Sequence, residues 1–147
     1  MVERGPFYNS NWLDLVVDNL GATIHRDEYY PDGGGRYPGN ANDQDATWDD
    51  QTPMLTALKS KADGSNEEMK YIVTFWTAPR QWKSNNNHKD GGHVTSQYYD
   101  EFADYCVHVV EDYASIGIDL YAISLQNEPR FAQFYNSGVY EPDQLRD

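Results

Sequence analysis

The apolar residues of this chain alternate between a helical and an extended period, and the segments that leave the extended runs are much longer than those that enter them. Trp12, Leu13, Val16, Val17 and Leu20 fall at i, i+1, i+4, i+5 and i+8, with Ser10 or Asn11 available as N-cap and Gly21 just beyond, which predicts a helix and its stop. Ala22 to His25 reads as a short extended run. Thr52-Pro53 then offers an N-cap and a proline at the first helical position, Leu55 and Leu58 share a face, and Asp63-Gly64 ends this second helix. Tyr71 to Phe75 is short, apolar and partly β-branched, as a buried strand is. A third helix, capped by Thr95 or Ser96, carries Tyr99, Phe102, Ala103, Cys106, Val107, Val110, Tyr113 and Ala114 at helical spacing and closes at Gly117. Ile118 to Leu125 is the last strand, ended by Asn127-Glu128-Pro129, and Glu141-Pro142 opens a helix within which the sequence stops.

Helices alternating with strands call for parallel strands joined by right-handed crossovers, the α/β class. The long connections, 28–51, 76–95 and 128–141, all follow strands. Elaboration at the strands' C-terminal ends is where a (β/α)8 barrel or an open α/β sheet builds its site. With 147 residues the expectation is one domain, 1–147.

Charge narrows the partners: 11 basic against 24 acidic side chains give a net of -13, which repels nucleic-acid phosphates and anionic membranes. No apolar run approaches the ~18 residues of a membrane-spanning helix. A start without an apolar h-region gives no secretory signal in this chain. Sixteen Asp against eight Glu and five Lys is also a composition suited to high salt. Cys106 is the only cysteine, so neither an internal disulfide nor a cysteine zinc site is expected, and it reads as an inert hydrophobe on its helix. His25, His88, His93 and His108 share no ligand spacing, and His108 reads as a polar-face residue. Asp43, Asp45, Asp49 and Asp50 suit a solvated loop better than a calcium loop, and Gly33-Gly34-Gly35 lacks the helix and GK[ST] of a phosphate cradle. No metal and no cofactor are expected.

The chemistry concentrates where the last strand stops. Ile118 to Pro129 runs Ile-Asp-Leu-Tyr-Ala-Ile-Ser-Leu-Gln-Asn-Glu-Pro, so a carboxamide and a carboxylate follow the apolar strand at once. Pro129 halts the ladder and biases Glu128 away from helix. A glutamate among apolar and aromatic neighbours can act as a general acid near neutrality, and the plain alternative is a solvated turn residue. Aromatic residues make up 14% of the chain, and Trp76 and Trp82 offer flat faces to sugars or to a core. Arg26 is open to a simple ion pair with Asp27 or Glu28.

Gln126-Asn127-Glu128-Pro129 resembles the fourth-strand motif of clan A glycoside hydrolases, and Thr74 to Asn85, with Trp76, Pro79, Trp82 and Lys83, is similar to the third-strand segment of glycoside hydrolase family 30. Gly91-Gly92 and the run Tyr99 to Gly117 also fit that family's pattern, and Tyr135 to Arg146 resembles the start of the next helix in that family or in the related agarases. Phe75 and Ala78 stand where the pattern has prolines, and Arg80-Gln81 are unusual in it. The resemblance implies part of a (β/α)8 barrel, about strands 2–4, truncated before the strand that carries the nucleophile. It implies a retaining β-glycosidase acting on xylan or β-glucan, with a galactan-cleaving agarase or a non-catalytic carbohydrate-binding module as alternatives. Glu128 would be the acid/base, Asn127 the partner of the sugar 2-hydroxyl, Arg26 the cation that keeps the nucleophile ionised, and Trp76 and Trp82 the substrate platforms. Residues 1–147 alone would then be inactive, and the full-length enzyme extracellular.

Overall fold

The computed structural model describes residues 9–29, 47–65 and 68–146, and its frame is a parallel sheet of three strands in the order β1-β2-β3, each reached through a helix. β1 is Ile24–Glu28, β2 Lys70–Thr74 and β3 Leu120–Ser124; α1 is Ser10–Leu13, α2 Trp48–Asp63, α3 Tyr99–Ser115 and α4 Pro142–Arg146. Arg26 is level with Ile72, and Ile72 with Ala122. One face of the sheet therefore carries Tyr71 and Val73 toward the helices, and the other carries Arg26, Ile72, Thr74, Ala122 and Ser124. This is the α/β arrangement expected, with short entries and long exits.

Helix boundaries follow capping chemistry. Asn9, not Ser10 or Asn11, caps the first helix, its Oδ1 accepting from the Trp12 amide at 3.0 Å. From Asp14 to Asn19 this helix widens into a π-turn, closed by the Leu20 amide on the Leu15 carbonyl. The wider turn rotates Leu20 out of the Trp12–Val16 line and leaves it 71% exposed, where a regular period would place it on the core face.

The second helix starts five residues before the expected first position at Pro53: it begins at Trp48, with Thr47 and Asp50 forming a capping box. Pro53 consequently lies inside it, and the Asp49 carbonyl that proline cannot serve accepts instead from the Thr52 hydroxyl at 3.3 Å. Asp49 and Asp50 belong to this first turn, whereas Asp43, Asp45 and Gly33 to Gly35 lie outside the described residues. α3 ends in a Schellman motif: the Ile118 amide reaches the Tyr113 carbonyl and the Gly117 amide that of Ala114, with Gly117 at φ +78°.

The core lies between the sheet and the helices and is largely aromatic. Leu55 and Leu58 of α2 and Tyr105, Val109 and Tyr113 of α3 close over Tyr71, Val73 and Phe75. Ring contacts bind the layers, Phe75 to Tyr105 at 5.3 Å and Trp48 to Tyr113 at 4.9 Å between centroids. The buried line of α3 is Tyr105–Val109–Tyr113, with Phe102 and Cys106 half-buried beside it; Ala103, Val107, Val110 and Ala114, expected on this face, are exposed. Two large rings eight residues apart, with the fully buried Val109 between them, fill the gap over the sheet. Burial pushes the Cys106 thiol up to about 11, which keeps it protonated and unreactive. His108 sits at the solvent edge of α3 beside Glu111 and Asp112.

Candidate active site

Two segments separated by a hundred residues meet at the C-terminal end of the sheet. Arg26 rises from β1, its Nε donating to Thr74 Oγ1 at 2.9 Å and its Nη2 to Asn127 Oδ1 at 2.7 Å. Thr74 ends β2 on the same face, and Asn127 follows β3 and extends the ladder, its amide donating to the Phe75 carbonyl at 2.7 Å. Arg26 thus pairs with neither neighbouring acid; Asp27 instead accepts from Gln51 Nε2 at 2.6 Å and lies 3.7 Å from His25. With Oδ1 taken by the guanidinium, the carboxamide of Asn127 is held in one orientation and its Nδ2 hydrogens are left for a ligand. Nη1 of Arg26 likewise keeps its hydrogens, a cationic donor on an exposed face.

Glu128 comes next, in the left-handed region at φ +47°, with an exposed side chain. The apolar enclosure expected around it is absent among the described residues. Its carbonyl accepts from the Phe131 amide at 2.9 Å, and the Pro129 carbonyl accepts from that of Tyr140 at 2.8 Å, which folds the 126–140 loop back on itself.

Trp76 and Trp82, six residues apart, part company. Trp76 is half-buried, its ring 6.0 Å from that of Tyr135, and Phe134 stands edge-on to Tyr135 while 81% exposed. The three rings form an aromatic shelf that starts at Trp76, one residue after the Phe75 carbonyl that accepts from Asn127. Trp82, expected as a second platform, is a core residue only 4% exposed, stacked on Tyr98 and edge-on to Tyr105. The short 3-10 turn Arg80–Trp82 turns its ring inward.

Sequence reasoning passed over Lys83. It is buried, and its ammonium donates to Thr77 Oγ1 at 2.9 Å, the His88 carbonyl at 3.1 Å and the Ser137 carbonyl at 2.6 Å, one acceptor for each hydrogen. Burial lowers its pKa to about 8, with Asp90 opposing the shift. A buried lysine thereby ties the loop after β2 to the loop after β3. Thr74 and Gln126, polar residues that close apolar strands, carried the signal that would have marked them; Lys83 carried none beyond its place in the Trp82-Lys83 motif. Among the described residues no three His, Cys, Asp or Glu side chains gather as metal ligands, and no helix is long and apolar enough to cross a membrane.

Parallel strands with helices outside and polar side chains converging at the strands' carboxyl ends define part of a (β/α)8 barrel. Residues 41–139 match the glycosyl hydrolase family 30 TIM-barrel domain, and the chain belongs to that family. It is similar to an endo-1,6-β-D-glucanase of Trichoderma harzianum, 33% identical over 93 residues that cover 56% of this chain and 19% of that enzyme. A second endo-1,6-β-D-glucanase, from Aspergillus fumigatus, is 31% identical over 93 residues, covering 54% and 18%. Among solved structures, a family 30 subfamily 8 xylanase from Clostridium acetobutylicum superposes with a TM-score of 0.74 at 26% identity, over 92% of this chain and 33% of that one. The chain thus matches about a fifth of the curated relatives' length and spans a third of the solved xylanase.

Proposed function

We propose that this chain is the acid/base-bearing part of the catalytic barrel of a retaining β-glycanase acting on a glucan or xylan outside the cell. The bond between Arg26 Nη2 and Asn127 Oδ1 carries the proposal, because it draws two distant segments to one sheet end beside Glu128. Glu128 protonates the glycosidic oxygen as the bond breaks and later takes a proton from the water that releases the sugar. Asn127 offers its Nδ2 hydrogens to the sugar 2-hydroxyl, a contact that strengthens as charge develops at the anomeric carbon. Arg26 presents its remaining guanidinium hydrogens to the nucleophilic carboxylate, which by the family resemblance comes from the seventh strand, and keeps it ionised. Trp76 forms a sugar platform with Tyr135. The endo-glucanase and xylanase relatives support a β-glycan substrate over a galactan.

The test is Glu128→Gln in the full-length protein, assayed on two aryl glycosides of different leaving-group pKa. Hydrolysis of the poor leaving group should fall by ~10² to 10⁴, the usual worth of general acid catalysis, while the activated one, which needs little protonation to depart, loses far less. Equal losses on both would remove the role. The isolated chain should hydrolyse neither, for want of the nucleophile.

A further inference from the structure

The side chain of Gln126 holds together the segments that the proposed chemistry needs in register. It is buried, and its Nε2 donates one hydrogen to the Trp76 carbonyl and the other to the Asn127 carbonyl, both at 2.8 Å. Both partners are carbonyl oxygens, which only accept, so the nitrogen must face them and the amide has a single orientation. One planar group therefore spans the end of β2, where the Trp76 platform begins, and the end of β3, one residue before Glu128.

The other half of the amide is fixed by shape. Its Oε1 is buried without a hydrogen-bond partner among the described residues. It lies against Gly138, where a Cβ would collide with Oε1 and approach Gln126 Cδ to 2.8 Å and the Tyr140 ring to 2.9 Å. Only glycine leaves this space, which lets the 126–140 loop close over the amide while it bonds the two carbonyls. Glu128 itself has no side-chain hydrogen bond among the described residues. The position of its carboxylate is set by the backbone leading into it.

From this arrangement we infer that Gln126 is a positioning residue for the proton donor Glu128, and that Gly138 is the seat it requires. It does not touch the reacting atoms; it sets the distance between the sugar platform at Trp76 and the carboxylate at Glu128. The inference rests on the proposed role of Glu128, and the experiment separates the two.

In the full-length protein, Gln126→Met keeps the length and burial of the side chain but removes both donors, and Gly138→Ala keeps the amide but displaces it. Each is compared with Glu128→Gln on the same pair of aryl glycosides, with circular dichroism to verify the fold. Both variants should lose ~10²-fold on the poor leaving group, as misplacement by about 1 Å does, and much less on the activated one. If Gln126→Met does not fold, Gly138→Ala, with every hydrogen-bonding group still present, makes the same measurement. Should Glu128→Gln discriminate between the substrates while folded Gln126 and Gly138 variants lose equally on both, or not at all, Gln126 is only a structural residue and the inference is overturned. Should Glu128→Gln itself fail to discriminate, the proposed role of Glu128 falls and this inference with it.

Discussion

The helix-facing side of the sheet and its C-terminal end are built by different means. Between sheet and helices, Leu55, Leu58, Val73, Tyr105, Val109 and Tyr113 pack without needing a particular polar partner, and many contacts share the work. At the strand ends the order comes from single groups: Arg26 on Thr74 and Asn127, Lys83 on three acceptors, Gln126 on two. A core of the first kind tolerates a change of similar volume. A site of the second kind loses a whole loop contact with one atom, and the reward is a fixed geometry.

Perturbing each side separately sharpens this contrast. Leu58→Ala, at a fully buried position, should cost about 2–5 kcal/mol of unfolding free energy by chemical denaturation, the range for large-to-small changes in a core. A loss below ~1 kcal/mol would mean that the helix layer is not the main source of stability. Lys83 gives a smaller effect with a defined pH course. Its folded pKa, about 8, lies below the ordinary 10.5, so between those values the unfolded chain holds more protons and this group's contribution to stability rises with pH. Melting curves of the wild type minus those of Lys83→Met should therefore climb from pH 8 toward 10.5. The raised tyrosines act oppositely: Tyr71 and Tyr140, at about 12, favour the folded state most below pH 10 and lose that advantage above it, in both proteins alike. A flat difference curve would show that burial does not depress the Lys83 pKa in the folded protein.

The weakest effect concerns the outer surface of the helices, where Asp100, Glu101 and Glu111 are exposed on α3. With a net charge of -13, molar salt should raise the melting temperature by screening self-repulsion. A falling response would exclude a surface adapted to salt.

Much of the frame was legible because it follows periodicity. The strand at Tyr71 to Phe75, the α3 helix and its Gly117 stop, and the long exits from the strands all stand close to where pattern places them. The start of α2 was obscured by Pro53, which resembles a first-turn proline until the Thr52 hydroxyl is seen to take over its missing bond. The inner face of α3 was read in part: Tyr113 is buried and Phe102 and Cys106 pack against the core as expected, but hydropathy also ranks Val107 and Val110 with it, where Tyr105 and Val109 stand instead. At the site, Arg26, Asn127 and Glu128 could be placed at one end by strand order, but the bond between the first two is a fact of side-chain reach. The separation of Trp76 from Trp82 depends on one short 3-10 turn that no period announces.

The left-handed backbone of Glu128 places the chain's own preferences in opposition. At φ +47° glycine or asparagine is the comfortable residue, and a side chain such as glutamate stores strain of about 1–3 kcal/mol in the native state. A sequence selected or designed for thermal resistance alone would therefore replace Glu128 early. On the proposed function, stabilisation campaigns on this scaffold must hold position 128 fixed, since the substitution that ranks well for endurance is the one that deletes the carboxylate.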